Sequence, residues 1–479
     1  MIINSDYTVL GTGPVGVLAA KLILNKGHSV TILDNSTKRS KKITERIHLK
    51  DIKNKAYVYD YSKSALDKSS KPMLPISSKA KGGFSEVWGA TLMTLASDEL
   101  LKLGLDENKI KKYYSLALSD IPHNAHEEFQ GVECSSCNET LEIDPQFINI
   151  YNHLELNKKN LNKKKIFFQK SILAINTSGW KNLNLIEKEH SKNLVWSSKN
   201  LLDELIRDYP GQIQYVNSLD VKNIEESGDS FSLVLSTGTC KVNSKKIFIA
   251  TGAFSSTLLA SNMTKRERYK FFDSSLAIYP IIWLGKASKY SNSPVALSQI
   301  FFEIREKNKV FQRAQLYAFN QDVANNIKYN YPIFGEIIVY FLRIIKKRLF
   351  FMFVYNDSEN SSYAEFIIKN NSAVLYKIHN KKLKFLRNNL LHFLSVKCLV
   401  LPIRKKFKIF GSFHSGATIP MTQDINDFDG NKSDMTGRVK KDSNIHFIDS
   451  SILPFVPSGP ITLTTVANGL RIVDEVTDV

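Results

Sequence analysis

Cysteine is scarce, with four in 479 residues. A chain this long with so few cannot be a disulfide framework. Cys134 and Cys137 have CxxC spacing, but no second CxxC or His pair stands near them, and a structural zinc would require Cys240 and Cys398 to converge there. Two ordinary loop thiols is the preferred reading, and no metal is expected. No run of about 18 or more apolar residues occurs, so no transmembrane helix is expected. The first five residues lack the basic stretch of a signal peptide, which points to a cytoplasmic protein. Acidic residues are also in short supply: 46 Asp and Glu against 65 Lys and Arg leave a net charge of +19 and a pI near 9.4. That balance suits nucleic acid, an anionic membrane surface or a phosphorylated substrate. No nucleic-acid module is visible, so no nucleic-acid partner is expected. Lysine runs at residues 158–159 and 163–165 read as solvated loops. No internal repeat or low-complexity linker interrupts the chain. A hydrophobic content of 43% supplies core for one large or two medium domains.

What is present begins with a glycine turn. Residues 6–10 read as a short parallel strand, followed by Gly11-Thr12-Gly13-Pro14-Val15-Gly16. Gly11 and Gly13 permit the tight turn and close backbone approach that a pyrophosphate needs. Pro14 suits the first helical position, where its missing N–H would be unpaired anyway. The helix that follows turns Val15, Val17, Leu18, Leu22 and Ile23 toward a sheet, and its N-terminal amides favour a phosphate anion. Gly27 ends the helix and residues 28–33 form the next strand. Asp34 then stands about 20 residues past the glycines, where an acid binds ribose hydroxyls. An acid there argues against a 2′-phosphate. The motif alone does not choose between FAD and NAD(P).

Further on, Gly82, Gly83 and Gly89 surround Ser85 and Trp88 in a loop suited to lie against a planar ligand. Residues 213–216, 221–224 and 231–235 read as the short strands of a small β-meander. It leads into Lys246-Ile-Phe-Ile-Ala-Thr-Gly252, an apolar strand that returns the chain to the parallel sheet. Residues 278–284, 299–304, 310–319, 349–355, 364–368 and 373–378 read as strands of a mostly antiparallel sheet, with a hairpin turn at 305–309 and a helix inserted. Near the C-terminus run His414-Ser415-Gly416-Ala417-Thr418, then Phe447-Ile448-Asp449, then Pro457-Ser458-Gly459-Pro460-Ile461-Thr462. Residues 461–476 read as a helix with a capped start.

Together these segments resemble the glucose–methanol–choline (GMC) oxidoreductase family. The likeness is carried by residues 11–34, 82–90, 252–259 and 414–471, under half of the chain but in family order. It implies an α/β fold, α+β overall, in which a doubly wound parallel-sheet domain with a small meander binds FAD and an antiparallel-sheet domain carrying helices takes the substrate. The boundaries expected are 1–270 for the first part of the FAD domain, with a helical and loop insertion around 100–195, then 271–410 for the substrate domain and 411–479 for the return. The resemblance places His414 over the flavin as catalytic base. It implies that Asp449 opens the last flavin-contacting turn, that the Gly83–Trp88 loop runs along the cofactor, that Val221 meets the adenine, and that Gly252 and Thr462 belong to the cofactor site. The chain departs from the family in four places. Asp34-Asn35-Ser36 replaces a Glu-Ala-Gly triplet. His-Ser-Gly-Ala-Thr replaces the commoner His-x-x-Gly-Thr. Gly459-Pro460 stands where a His or Asn before Pro supplies a second active-site side chain. Val87 occupies the position of the His that bonds FAD covalently in some members, so FAD is expected to be non-covalent.

Oxidising an alcohol requires loss of the hydroxyl proton and transfer of a hydride to the flavin. The proton needs a base that titrates near neutrality, and histidine is the natural choice. His414 is the candidate, among small residues; His446 reads as structural. The dipole of the helix after Pro460 would support negative charge on the reduced flavin. The expected activity is therefore FAD-dependent oxidation of a sugar-like or lipid-linked alcohol. The alternatives are a non-catalytic flavin-fold protein that binds a glycan or lipid, or a flavoenzyme with other chemistry such as desaturation. Two segments, residues 333–348 and 385–406, combine apolar helical faces with cationic ends. Two buried helices with solvated ends is the preferred reading, and peripheral attachment to the anionic inner face of a membrane is the other.

Overall fold

The computed structural model describes residues 2–36, 58–59, 77–125, 128–133, 143–177, 194–228, 230–290, 297–331, 333–369, 372–381, 397–401, 405–406, 409–424 and 432–477. Cys134 and Cys137 lie outside them. Cys240 and Cys398 are buried in two different sheets, so they do not converge.

At the centre is a five-stranded parallel sheet in the order Ile213–Val216, Val30–Leu33, Tyr7–Leu10, Lys246–Ile249, Ile445–Phe447. Its two strands Tyr7–Leu10 and Val30–Leu33 are buried at every position, as expected of strands covered on both faces. The helix Pro14–Asn25 packs against the last helix, Thr462–Thr477, and against Ser198–Asp208; the last helix also packs on Glu107–Asp120. The two ends of the chain are thus neighbours in one layer.

The glycine turn is fixed by the closeness of that packing. Gly11 has φ of +106°, and a Cβ built on it would stand 2.3 Å from the carbonyl oxygen of Ala250 in the neighbouring strand. A Cβ on Gly16 would stand 2.2 Å from the Gly11 oxygen. Gly11→Ala is expected to cost roughly 2 kcal/mol or more through strain and forced separation of the strands, read as a lowered Tm. A melting curve unchanged from wild type would contradict that packing.

The meander runs Val221–Ser227, Ser230–Leu235, Gly238–Asn243. Two corrections apply here. Ile213–Val216 is not part of it but the edge of the parallel sheet, paired with Val30–Leu33. A strand that the sequence reading passed over, Ile2–Asn4, joins the meander alongside Gly238–Asn243.

The antiparallel region is two sheets. A seven-stranded one runs Cys398–Val400, Ser275–Trp283, Leu349–Asn356, Lys309–Ala318, Ile300–Glu306, Ile166–Lys170, with Lys405–Lys406 also on Ser275–Trp283. Its hairpin turns at Lys307 and Asn308, both with positive φ, as a two-residue primed turn requires. A four-stranded sheet runs Ser372–His379, Tyr363–Lys369, Arg268–Asp273, Ser415–Gly416. The chain crosses between the two at Ser274. The helix expected over residues 385–406 is corrected where it is described: Cys398–Val400 is a strand, with Cys398 opposite Trp283. An open sheet edge overrode helical spacing there. The helix expected within 333–348 is present as Gly335–Ile344, but its apolar residues Ile337, Phe341 and Ile344 are exposed, not buried.

Candidate active site

One end of the parallel sheet carries a cradle. Gly13 caps the first helix, Pro14 begins it, no side chain caps its amides, and a Cβ on Gly13 would meet nothing within 4 Å. Those amides are therefore available to an anion. The loop Gly83–Glu86 lies against this turn: a Cβ on Gly83 would stand 3.3 Å from the Gly13 Cα, and the Gly82 N–H donates to Thr12 Oγ1 at 3.1 Å. Ser85 and Trp88 hold the loop in place. The Ser85 hydroxyl donates to Gly82 O at 2.6 Å and lies 3.0 Å from Ser198 Oγ, and Trp88 Nε1 donates to Trp196 O at 3.0 Å. Asp34 ends its strand 2.8 Å from the hydroxyl of Thr12, and burial raises its pKa. Its carbonyl accepts from Leu219 N at 3.0 Å, which brings Val221 close by at the start of the meander.

Gly252 begins the helix Ala253–Thr264 with φ of +85° and no side-chain cap. Asp449 is buried beside it. Its carboxylate accepts from Gly252 N at 2.8 Å, Ser256 Oγ at 2.5 Å and Ser451 N at 2.9 Å, and burial raises its pKa. Its oxygens are engaged by the protein, so it shapes the turn that joins the two halves of the site.

That turn presents His414. Gly416 packs so closely on it that a Cβ would stand 2.5 Å from Ser450 O, and Ala417 N donates to Ser450 O at 2.9 Å. Phe410, Phe413 and Ala417 all hold positive φ, at +67°, +62° and +54°. Such strain costs on the order of 1–3 kcal/mol per residue and collects at functional sites. The ring of His414 lies 5.3 Å from that of buried Tyr355, and burial pulls its pKa down to about 4, below the near-neutral titration expected of the base from the sequence. The residue keeps some exposed surface, so the ring is shielded without being sealed. A chain of hydrogen bonds leads away from it. His414 Nδ1 is 3.2 Å from Ser274 Oγ, Ser274 donates to Ser412 Oγ at 3.2 Å, and Ser412 donates to Asp273 Oδ1 at 2.5 Å. Each serine has one hydroxyl proton. With both spent toward Asp273, the proton on His414 sits on Nδ1, and Nε2 carries the free lone pair. Burial pushes the Asp273 carboxyl up to about 7. His446, by contrast, is tied through Nδ1 to Thr436 O at 2.8 Å inside the parallel sheet.

The sheet face next to Tyr355 is polar. Arg313, Gln315 and Tyr317 alternate along Lys309–Ala318, opposite Tyr355, Phe353 and Phe351. Tyr317 donates to Gln315 Oε1, while the buried Gln315 Nε2 has no partner among the described residues. Arg313, 1% exposed, is held by Glu99 and Glu303 and lies 3.5 Å from Ser458 Oγ. Gly459 has φ of +130°, and a Cβ on it would stand 3.2 Å from Met93 Sδ. The missing His or Asn is therefore built into the backbone: a side chain at 459 would be strained as well as crowded. Thr462 opens the last helix just beyond. Asp273, Ser274, Ser412, Tyr355 and Gln315 are the site residues that sequence reading missed. An Arg in a strand of apolar pattern was the one visible signal; nothing local announced the others.

No family model matches the chain, and no curated protein does. Its fold is that of solved oxidases. Pyridoxine 4-oxidase from Mesorbium loti superposes with a TM-score of 0.65 at 12% identity, over 99% of each chain. Formate oxidase from Aspergillus oryzae, in a variant studied for modification of its FAD, superposes with a TM-score of 0.63 at 10% identity, over 99% of this chain and 98% of that one. At such identities the likeness establishes the fold: the mixed α/β architecture expected from the sequence.

Proposed function

We propose that the chain is an FAD-dependent oxidoreductase that oxidises an alcohol carbon with His414 as base. The observation that carries this reading is convergence. An uncapped helix start at Gly13, the Asp34 carboxyl and the glycine loop meet at one end of the sheet, and the C-terminal return presents a histidine engaged through Nδ1, which leaves Nε2 as its lone-pair nitrogen. These residues fit a dinucleotide. The first-turn amides after Gly13 and Pro14 would hold the pyrophosphate, with Gly11 and Gly16 keeping the turn tight. Asp34 would hold the ribose, Val221 would meet the adenine, and Gly83 would lie along the cofactor, with Ser85 and Trp88 fixing its loop. Asp449 would hold the Gly252 turn, and Thr462 would open the helix whose dipole favours negative charge. FAD, when bound, supplies the hydride acceptor. The named formate oxidase, which shares the fold, is described with FAD.

His414 would take the hydroxyl proton on Nε2, and Ser274, Ser412 and Asp273 would hold the ring in that tautomer and support its positive charge. The unpaired Gln315 Nε2 offers a donor for a substrate oxygen. Because Val87 stands beside Trp88, the cofactor is held non-covalently. The purified protein should show a flavin absorbance spectrum, and denaturation should release the colour into the filtrate. Colour retained in the precipitate would refute non-covalent attachment. A colourless protein that FAD cannot reconstitute would refute the reading. Anaerobic bleaching by a panel of alcohols, pyridoxine and sugar alcohols among them, then tests turnover. A second reading, a flavin-fold binding protein without turnover, is favoured by Gly459 and predicts no bleaching.

A further inference from the structure

The helix Gly335–Ile344 presents two faces. Val339, with half-buried Leu342 and Ile345, packs toward Phe351, Ile278 and Ile282 of the seven-stranded sheet and toward the helix Gln321–Asn330. The other face is as apolar and is open. Ile333, Phe334, Ile337, Tyr340, Phe341 and Ile344 fall on helical spacing and range from 55% exposed at Ile337 to 80% at Ile333. Six large apolar side chains aligned on one surface stripe are not the scattered exposure of an ordinary surface. Among the described residues nothing covers them.

The charges around the stripe are predominantly cationic, with Asp144 near Tyr290 at its C-terminal end as a counter-charge. Arg343 and Lys347 are exposed at its C-terminal end, with Lys346 lying 4.1 Å over the ring of Tyr290. Arg348 bonds to Trp283 O at 3.1 Å and to Gly285 O, which sets exposed Lys286 and Lys289 beside the same end. The one acid of the helix, Glu336, is paired with Lys328 at 2.6 Å. The chain as a whole carries +19. No helix among the described residues is long and apolar enough to cross a membrane.

We propose that this stripe docks the protein in the plane of an anionic lipid bilayer, with Ile333, Phe334, Ile337, Phe341 and Ile344 entering the acyl boundary and the cationic rim contacting headgroups. Apolar burial and attraction to anionic lipid act together in such helices. A second copy is the poorer occupant. A two-fold contact sets the patch against itself, and the mainly cationic rims would approach each other with the helix's one acid already engaged. The docked helix covers one end of the sheet face whose other end carries Gln315, Tyr317 and Tyr355, so docking places the candidate substrate face near the lipid.

The test is co-sedimentation of the full chain with vesicles of phosphatidylcholine alone and of phosphatidylcholine with phosphatidylglycerol at about 7:3, a composition that carries the negative surface potential basic segments respond to. Binding is expected to be at least about tenfold stronger to the anionic vesicles and to weaken as salt is raised. Ile337→Ser with Phe341→Ser should abolish it, and Lys346→Glu with Lys347→Glu should remove the preference for anionic lipid. Ile337, Phe341 and Lys347 are exposed, and Lys346 gives up its place over the Tyr290 ring, so the melting temperatures should stay within a few degrees of wild type. Equal recovery in the supernatant with either vesicle at low salt would overturn the proposal. So would unchanged binding of the Ile337/Phe341 variant, which would move the contact elsewhere, or a dimer in sedimentation velocity that this variant dissolves while wild type ignores vesicles.

Discussion

His414→Ala is expected to leave FAD bound and to slow its anaerobic reduction by alcohol about a hundredfold or more, close to 2.7 kcal/mol of barrier. The side chain is engaged by Ser274 and Tyr355 rather than by the glycine turn, so the flavin spectrum should persist while bleaching slows. Reduction as fast as wild type would remove His414 from the chemistry. The wild-type pH profile has a sign that follows from its two buried groups. The base works when neutral. Burial holds His414 at about 4, so its neutral form persists from about pH 5 upward and is lost only as pH falls through 4. Asp273, raised by burial to about 7, is ionised above that pH and protonated below it. Its carboxylate supports the imidazolium through Ser412 and Ser274. Reduction should therefore quicken as pH rises through 7 and then level off. Asp273→Asn should remove the step near 7, keep the fall near 4 and retain FAD. A step that survives in Asp273→Asn would show that the chain of serines does not couple the two groups.

The glycine-turn half of the fold was readable because its physics is local. A turn that needs positive φ spells itself with Gly11, and a strand buried on both faces spells itself with runs such as residues 30–33. The antiparallel strands were readable for a related reason: alternation marks a half-covered face. Partnership was not. The segment 213–216 looks the same whether it ends a meander or edges a parallel sheet, and the choice was made by the free edge of Val30–Leu33. Cys398 continued a helical spacing across residues 385–406 in the sequence, and Cys398–Val400 became a strand because Ile281–Trp283 offered an edge. Nothing near Asp273 in the chain announces that Ser412 lies 2.5 Å from it, 139 positions away. The helix Gly335–Ile344 shows the limit most plainly. Its sequence fits a core helix and an interfacial one equally, and only the exposure of its outer face separates them.

Arg313→Ala should be the most destabilising single change at the candidate substrate face, by about 3–5 kcal/mol, the scale for stranding a buried charge without its partner. The guanidinium is 1% exposed and meets Glu99 at 2.5 and 2.7 Å and Glu303 at 3.0 and 3.2 Å. Burial opposes its charge, and the two carboxylates outweigh that and hold its pKa above the usual value. Removing it strands the buried Glu99, while Glu303 keeps only Arg305 Nε at 2.7 Å. Glu99 also accepts from Ala96 N at 3.1 Å at the start of the helix Ser97–Lys102, so its displacement would loosen that helix as well. Arg313→Lys keeps the charge but loses the planar fork that serves both acids, and should fall between wild type and alanine. Charge rather than volume is at issue, and a combined change separates the two. Arg313→Met with Glu99→Gln and Glu303→Gln should recover most of the loss, because no carboxylate is then left uncompensated. Thermal and denaturant unfolding of the three variants supply the comparison. If Arg313→Ala unfolds within about 1 kcal/mol of wild type, the network is looser than its distances imply. If the combined variant is no better than alanine alone, the lost packing of the arginine stem beside Gly459 is what the fold needs, and the charges are secondary.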